Sequence, residues 1–171
     1  MVKLIGIGCV LISTTLVGFH FANVLANRSK QLRQLQSALQ ILEAEITYGQ
    51  VPLATASARI ATQIQEPLAL FWRSLSNKLT AGISGVSVIF REALEETWHQ
   101  TVLKQEEYEI ISQFGETLGK HDRYGQQQHI QIALTHLVRI EKEAVEEQRK
   151  FEKMFKSLGA LSGLLIVILL V

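Results

Sequence analysis

His121, His129 and His136 are the chain's closest approach to a metal-binding set. On one helix, His129 and His136 stand two turns apart, about 10 Å of axial rise, too far to share a small ion without a ligand from another helix. Solvated or capping imidazoles account for them. No HExxH or CxxC pair is present for zinc, and no GxxxxGK[ST] loop for a nucleotide. The single cysteine, Cys9, lies in an apolar run that disfavours a thiol nucleophile, and too little apolar chain precedes it for a lipoprotein signal. The remaining candidates are three acidic runs: Glu92-Glu95-Glu96, Glu106-Glu107-Glu109 and Glu141-Glu143-Glu146-Glu147. Interleaved Lys104, Arg139, Lys142 and Arg149 make them read as solvated helix faces with pairs four residues apart. The expectation is therefore no catalytic residue, no cofactor, no metal and no small-molecule substrate. A net charge of +1 gives no sign of a nucleic-acid partner.

The elements behind these residues read as helices throughout. Leu, Ala, Gln, Glu and Lys dominate, and straight-chain residues lose little rotamer freedom in a helix. Leu32, Leu35, Leu39, Leu42 and Ile46 recur in steps of three and four, a stripe that Gly49 ends. Pro52 suits the first turn of a second helix, with Ala56, Ile60 and Ile64 on its stripe. Glu66-Pro67 breaks the pattern, and Leu68, Phe71, Leu75 and Leu79 form a third helix ending near Gly82. Ser84 or Ser87 is expected to cap a fourth helix through Trp98. Leu103, Ile110, Ile111, Phe114 and Leu118 mark a fifth, and Asp122 is placed to cap a sixth. No segment alternates as a strand does. The fold class is thus all-α, a cytosolic bundle of about six helices over residues 28–156.

That bundle is expected to lie between two membrane helices. Leu4 to Asn27 carries no Asp, Glu, Lys or Arg, and as a helix reaches roughly 36 Å, enough for a hydrocarbon core of about 30 Å. The span is placed at residues 4–26. Val24-Leu25-Ala26 offers a signal-peptide cleavage site, but Lys3 alone is a weak basic leader, and the strong cluster Arg28, Lys30 and Arg33 follows the apolar run. At the other end Lys150, Lys153 and Lys156 precede an apolar segment, residues 157–171. Those 157–171 residues make only about 22 Å of helix, which snorkelling lysines extend. Basic residues favour the cytoplasmic side, so both ends agree on a domain inside and termini outside. Gly18 with Ala22, and Gly159 with Gly163, have the small-residue spacing that lets membrane helices approach closely.

Three segments carry more than helix pattern: RQLQSALQILEAEITYG (Arg33 to Gly49), LKQEEYEIISQFGETLGKHD (Leu103 to Asp122) and KSLGALSGLLIVILLV at the end. With MVKLIGIGCVLISTTLVGF at the start, and in this order, they resemble the stage III sporulation protein AB family of endospore-forming bacteria along essentially the whole chain. The resemblance implies a scaffold of the channel complex between mother cell and forespore, in the mother-cell membrane around the forespore. It also implies a likeness to the F-type inner-membrane platforms of type II secretion and type IV pilus machines, and so a secretion-type ATPase and other channel components as partners. Those platforms carry two such domains and this chain one, which implies a homo-oligomer. Glu43, Glu45, Glu116 and Asp122, charged residues of the family-like motifs, are the candidate partner contacts, with capping or solvation as the plain alternative for each. A membrane-anchored helical scaffold unrelated to sporulation is the alternative for the whole chain.

Overall fold

A stripe of leucines needs a partner surface, and in the computed structural model α1 supplies the longest one. The structure describes the backbone of residues 2–49, 51–82, 84–119 and 123–170, and side chains of residues 22–49, 51–82, 84–119, 124–151 and 153–154. Helix α1 (Val2–Ala44) passes into a π-helical turn, Glu45–Gly49. There follow α2 (Leu53–Gln63), α3 (Leu68–Ala81), α4 (Val86–Trp98), α5 (Gln105–Thr117) and α6 (Arg123–Leu170). Among the described residues there is no strand. Among the described residues the chain has six α-helices, as the expected all-α class requires.

The chain divides into two units: a terminal one, Met1–Ser29 with Lys142–Val171, and a central one, Lys30–Glu141. In the central unit Leu32, Leu35, Leu39 and Leu42 of α1 are each at most 1% exposed. Ile60 of α2, Leu75 of α3, and Ile130, Leu137 and Ile140 of α6 are also fully buried. Burial of each such side chain is worth about 1.5–3 kcal/mol. Polar ties set the register of α1 against α6 within this unit. Arg33 Nε donates to Glu141 Oε1 at 2.8 Å, Gln36 Nε2 to the Leu137 carbonyl at 3.4 Å, and Gln131 Nε2 to Glu43 Oε2 at 2.7 Å. As α1 advances its α6 partners recede, so the two helices run antiparallel.

Aromatic rings hold α3, α4 and α5 together edge to face. Phe71 meets Phe90 at 5.2 Å and 80°, and Phe90 meets Phe114 at 6.0 Å and 82°. Such pairs contribute roughly 0.5–1.5 kcal/mol beyond their burial. Gly115 lets Phe90 into this position: a Cβ built there would lie 2.1 Å from Phe90 Cδ1. The loop before α5 is pinned to α1, where buried Gln31 accepts the Val102 N–H at 3.0 Å. Glu107, fully buried, caps α5 by accepting the Lys104 N–H at 2.8 Å.

In the terminal unit, Arg28 is only 5% exposed, and its guanidinium donates to Glu147 at 3.1 Å. Ser29 Oγ reaches Gln148 Oε1 at 3.2 Å. Read from sequence as a membrane-flanking cation, Arg28 is here half of a tie between α1 and α6. Lys30 and Arg33 (in the central unit) and Lys150 and Lys153 (in the terminal unit) are exposed, whereas the side chain of Lys156 lies outside the described ones. Among the described residues no helix is long and apolar enough to cross a membrane. Most side chains of the expected spans 4–26 and 157–171, including those positions at Gly18, Gly159 and Gly163, lie outside the described ones; Ala22 is half-buried.

One local expectation needs correction. Neither Ser84 nor Ser87 caps α4; Gly85 holds the N-cap in an extended conformation (ψ 150°), and its carbonyl accepts from Val88 and Ile89 at 3.0 Å each. The acidic runs pair across helices: Lys78 of α3 with Glu92 and Glu96 of α4, and Arg139 of α6 with Glu106 of α5. Packed helices add these contacts to whatever pairs lie along one helix. Gly115→Ala is expected to lower stability by about 1–3 kcal/mol, because Phe90 has to leave its place between two rings. Gly82→Ala, at φ 67° with open space around it, should cost about 1–2 kcal/mol from backbone strain alone. Chemical denaturation separates them: Phe90→Leu should relieve much of the first loss and none of the second.

Candidate functional site

The two specific motifs converge on one groove of the central unit. Ile46, from the end of LEAEITYG, and Leu118 and Gly119, from the end of QFGETLG, line it together with Val51, Leu53 and Val86. Its volume is about 270 Å³, and its walls are mostly apolar. Gln126, near the start of α6, supplies a polar edge.

Each motif residue has a local reason. Leu42 fills the core, while Glu43 accepts from Gln127 Nε2 at 3.0 Å and from Gln131. Glu45 opens the π-helical turn, and its two carboxylate oxygens accept from Arg59 Nη1 at 2.9 and 2.8 Å. A Cβ at Gly49 would stand 2.7 Å from Glu45 Oε2, so the glycine leaves room for that carboxylate. In the second motif Phe114 belongs to the ring stack, Gly115 admits Phe90, and Gly119 takes φ +77°, a left-handed conformation that a side chain would strain. π-helical turns are uncommon and recur at functional sites.

What remains unabsorbed by packing is at the surface. Tyr48, in the π-helical turn, is 85% exposed, and Tyr124 at the start of α6 is 77% exposed. Glu116 is exposed, and no described residue pairs with it. Of the four carboxylates singled out from sequence, Glu43 and Glu45 are thus engaged within the chain and Glu116 faces solvent. Asp122 lies outside the described residues, as does His121. Sequence reading missed the aromatic pair, Tyr48 and Tyr124. The signal that could have found Tyr48 is an aromatic residue next to a helix-ending glycine, on no apolar stripe.

Reactive groupings are scarce. Among the described residues no cluster of three His, Cys, Asp or Glu could hold a metal ion, and His136 is exposed on α6. The shifted titrations belong to a surface pair. A hydrogen bond from Lys78 to Glu96 at 2.6 Å raises the lysine above its usual range and holds the glutamate below its own. Glu96 thus adds stability above the ordinary carboxylate range, lost as pH falls through its depressed folded value. Lys78 adds stability that is lost only at strongly alkaline pH. With Glu96 54% exposed, the pair is worth at most about 1 kcal/mol.

Among the described residues the chain is an all-α bundle whose polar side chains tie helices together, with an apolar groove where its two specific motifs meet. The model of the family described as Stage III sporulation protein AB matches residues 3–171, and the chain belongs to that family. It is 46% identical over 170 residues to Stage III sporulation protein AB of Bacillus subtilis (strain 168), covering 99% of each chain. A solved structure of a Stage III sporulation protein AB superposes with a TM-score of 0.70 at 45% identity, covering 72% of this chain and 98% of that one. The family is named for a stage of sporulation and not for a catalysed reaction, and membership supports a sporulation role over an unrelated scaffold.

The clamp around Glu45 is open to a direct check. Gly49→Ala should push the carboxylate off Arg59, and Arg59→Ala should free it to turn away. In a double-mutant cycle followed by denaturation, the double variant should then cost less than the two single losses together, by about 0.5 kcal/mol. Strict additivity would mean that Gly49 serves the backbone and not Glu45.

Proposed function

We propose that this chain is a non-enzymatic platform of the sporulation channel between mother cell and forespore, anchored in the mother-cell membrane by residues 4–26 and 157–171. Its domain, residues 28–156, faces the cytoplasm and couples a secretion-type ATPase to membrane components of the channel. What supports the reading is the convergence of both family-like motifs on one apolar groove, with Tyr48, from the same motif as Ile46, almost fully exposed. Exposed aromatics beside a small apolar depression are the usual anchors of protein interfaces. Exposed Glu116 belongs to one of these motifs and is a candidate contact, as is Asp122 by its place in the sequence, while Glu43 and Glu45 are held within the chain.

Coupling follows from helix continuity. Gln126 edges the groove, and it lies in the first turns of α6, which continues to Leu170 over 48 residues. At about 1.5 Å per residue such a helix is roughly 70 Å long. No proline interrupts α6, which is what a helix carrying a push toward the membrane would need. The terminal segments are apolar enough to anchor it: residues 157–171 carry no charge, and Gly159 and Gly163 suit close packing against Gly18 and Ala22 of the first segment. Having one domain of the platform type, the chain acts as a homo-oligomer.

The full-length protein, captured from membranes of sporulating cells, should bring down a secretion-type ATPase. Glu116→Arg and Asp122→Arg should each lower that recovery by about fivefold or more, since like or lost charge at an interface rim costs about 1 kcal/mol or more. Glu95→Arg, on an exposed face of α4, should leave it unchanged. Equal recovery from all three variants would place the ATPase contact elsewhere or nowhere on this chain.

A further inference from the structure

A second groove of the central unit has charged side chains in its lining, which the first lacks. It measures about 300 Å³ and is lined by Lys30, Arg33, Gln34 and Ser37 of α1, and by Gln63, Ile64 and Gln65 where α2 ends. Lys30 is exposed and makes no ion pair with a described residue. Arg33 meets Glu141 through Nε alone, at 2.8 Å, and its two terminal nitrogens have no partner among the described residues. Two cations and three carboxamides therefore share one depression with half-buried Ile64.

Gln34 adds an unmet demand. Its Nε2 reaches Gln65 Oε1 at a long 3.5 Å, and its own Oε1 is buried and accepts no hydrogen bond. A buried acceptor without a donor costs about 1–3 kcal/mol and calls for an explanation. The groove thus offers fixed positive charge to an anion and, beside it, a carbonyl oxygen that needs a hydroxyl. A small turn of the loosely held carboxamide presents that oxygen to the groove.

We propose that this groove binds the headgroup of an anionic phospholipid: the phosphodiester against Lys30 and Arg33, and a headgroup hydroxyl donating to Gln34 Oε1. Phosphatidylglycerol has both features. The proposal rests on the reading that residues 4–26 lie in the membrane. Lys30 follows Asn27 by three residues of one helix, about 4.5 Å of rise, which puts its ammonium at headgroup depth. Guanidinium and ammonium groups bind phosphate oxygens through charge-assisted hydrogen bonds. The groove would therefore hold the base of the bundle to a lipid of particular headgroup, and not only to negative surface.

The test uses the full chain in mild detergent, titrated with short-chain phosphatidylglycerol and read as lipid adducts by native mass spectrometry. Phosphatidylmethanol, a phosphodiester of equal charge without headgroup hydroxyls, is the comparison lipid. One phosphatidylglycerol should bind in preference to phosphatidylmethanol. Lys30→Gln should weaken binding of both by about tenfold, and Gln34→Leu should abolish only the preference. Arg149→Gln with Lys150→Gln, removing two exposed cations elsewhere, should change neither. An equal loss from that double variant would overturn the site in favour of diffuse attraction. Displacement by inorganic phosphate at the lipid's own concentration would make it a free-anion site instead. Alkaline carbonate extraction from neutral phosphatidylcholine vesicles tests the anchoring separately: release there sinks the membrane reading, whatever the adducts show.

Discussion

Two long helices can slide along each other unless something fixes their register, and in the central unit that something is polar. Arg33 grips Glu141 near one end of the unit, and Glu43 holds Gln127 and Gln131 near the other. Between them the leucines of α1 are non-directional and would accept a shift of a turn at modest loss. A one-turn slip would break all of these ties together. The groove at the motifs inherits its shape from this lock, because Ile46 comes from the end of α1 and Gln126 from the beginning of α6. The pair of buried Arg28 with half-exposed Glu147 makes a similar tie within the terminal unit.

Helix content was legible because apolar periodicity survives packing. Leu32, Leu35, Leu39 and Leu42 were read as one stripe and are among the most deeply buried residues. The breaks at Pro52 and Glu66-Pro67 also fell where helices change, since proline restricts the backbone whatever surrounds it. What stayed illegible depends on neighbours far away in sequence. The cap of α4 falls to Gly85 in place of a serine, and the acidic runs find cations on other helices. The π-helical turn could not be read either, for Glu45 is drawn to Arg59, fourteen positions along.

The site was legible in its motifs and not in its chemistry. LEAEITYG and QFGETLG stood out as specific strings, but nothing in either says that their ends meet. Most of their residues turn out to serve geometry: Gly115 admits Phe90, Gly49 admits Glu45, and Gly119 takes a backbone that other residues resist. Among the residues that packing does not explain are Tyr48 and Glu116, one from each of the two motifs that meet at the groove. Singling out carboxylates alone gave weight to Glu43 and Glu45, which the fold itself employs, and overlooked the exposed tyrosine.

The central claim is that this groove receives a secretion-type ATPase. A photocrosslinking amino acid in place of Tyr48, in the full-length protein within sporulating cells, tests it most directly, with Thr135 on an exposed face of α6 as the comparison position. The account predicts an ATPase crosslink from position 48 and none from position 135. Crosslinks to membrane proteins alone from position 48, or equal ATPase crosslinks from both positions, would contradict it.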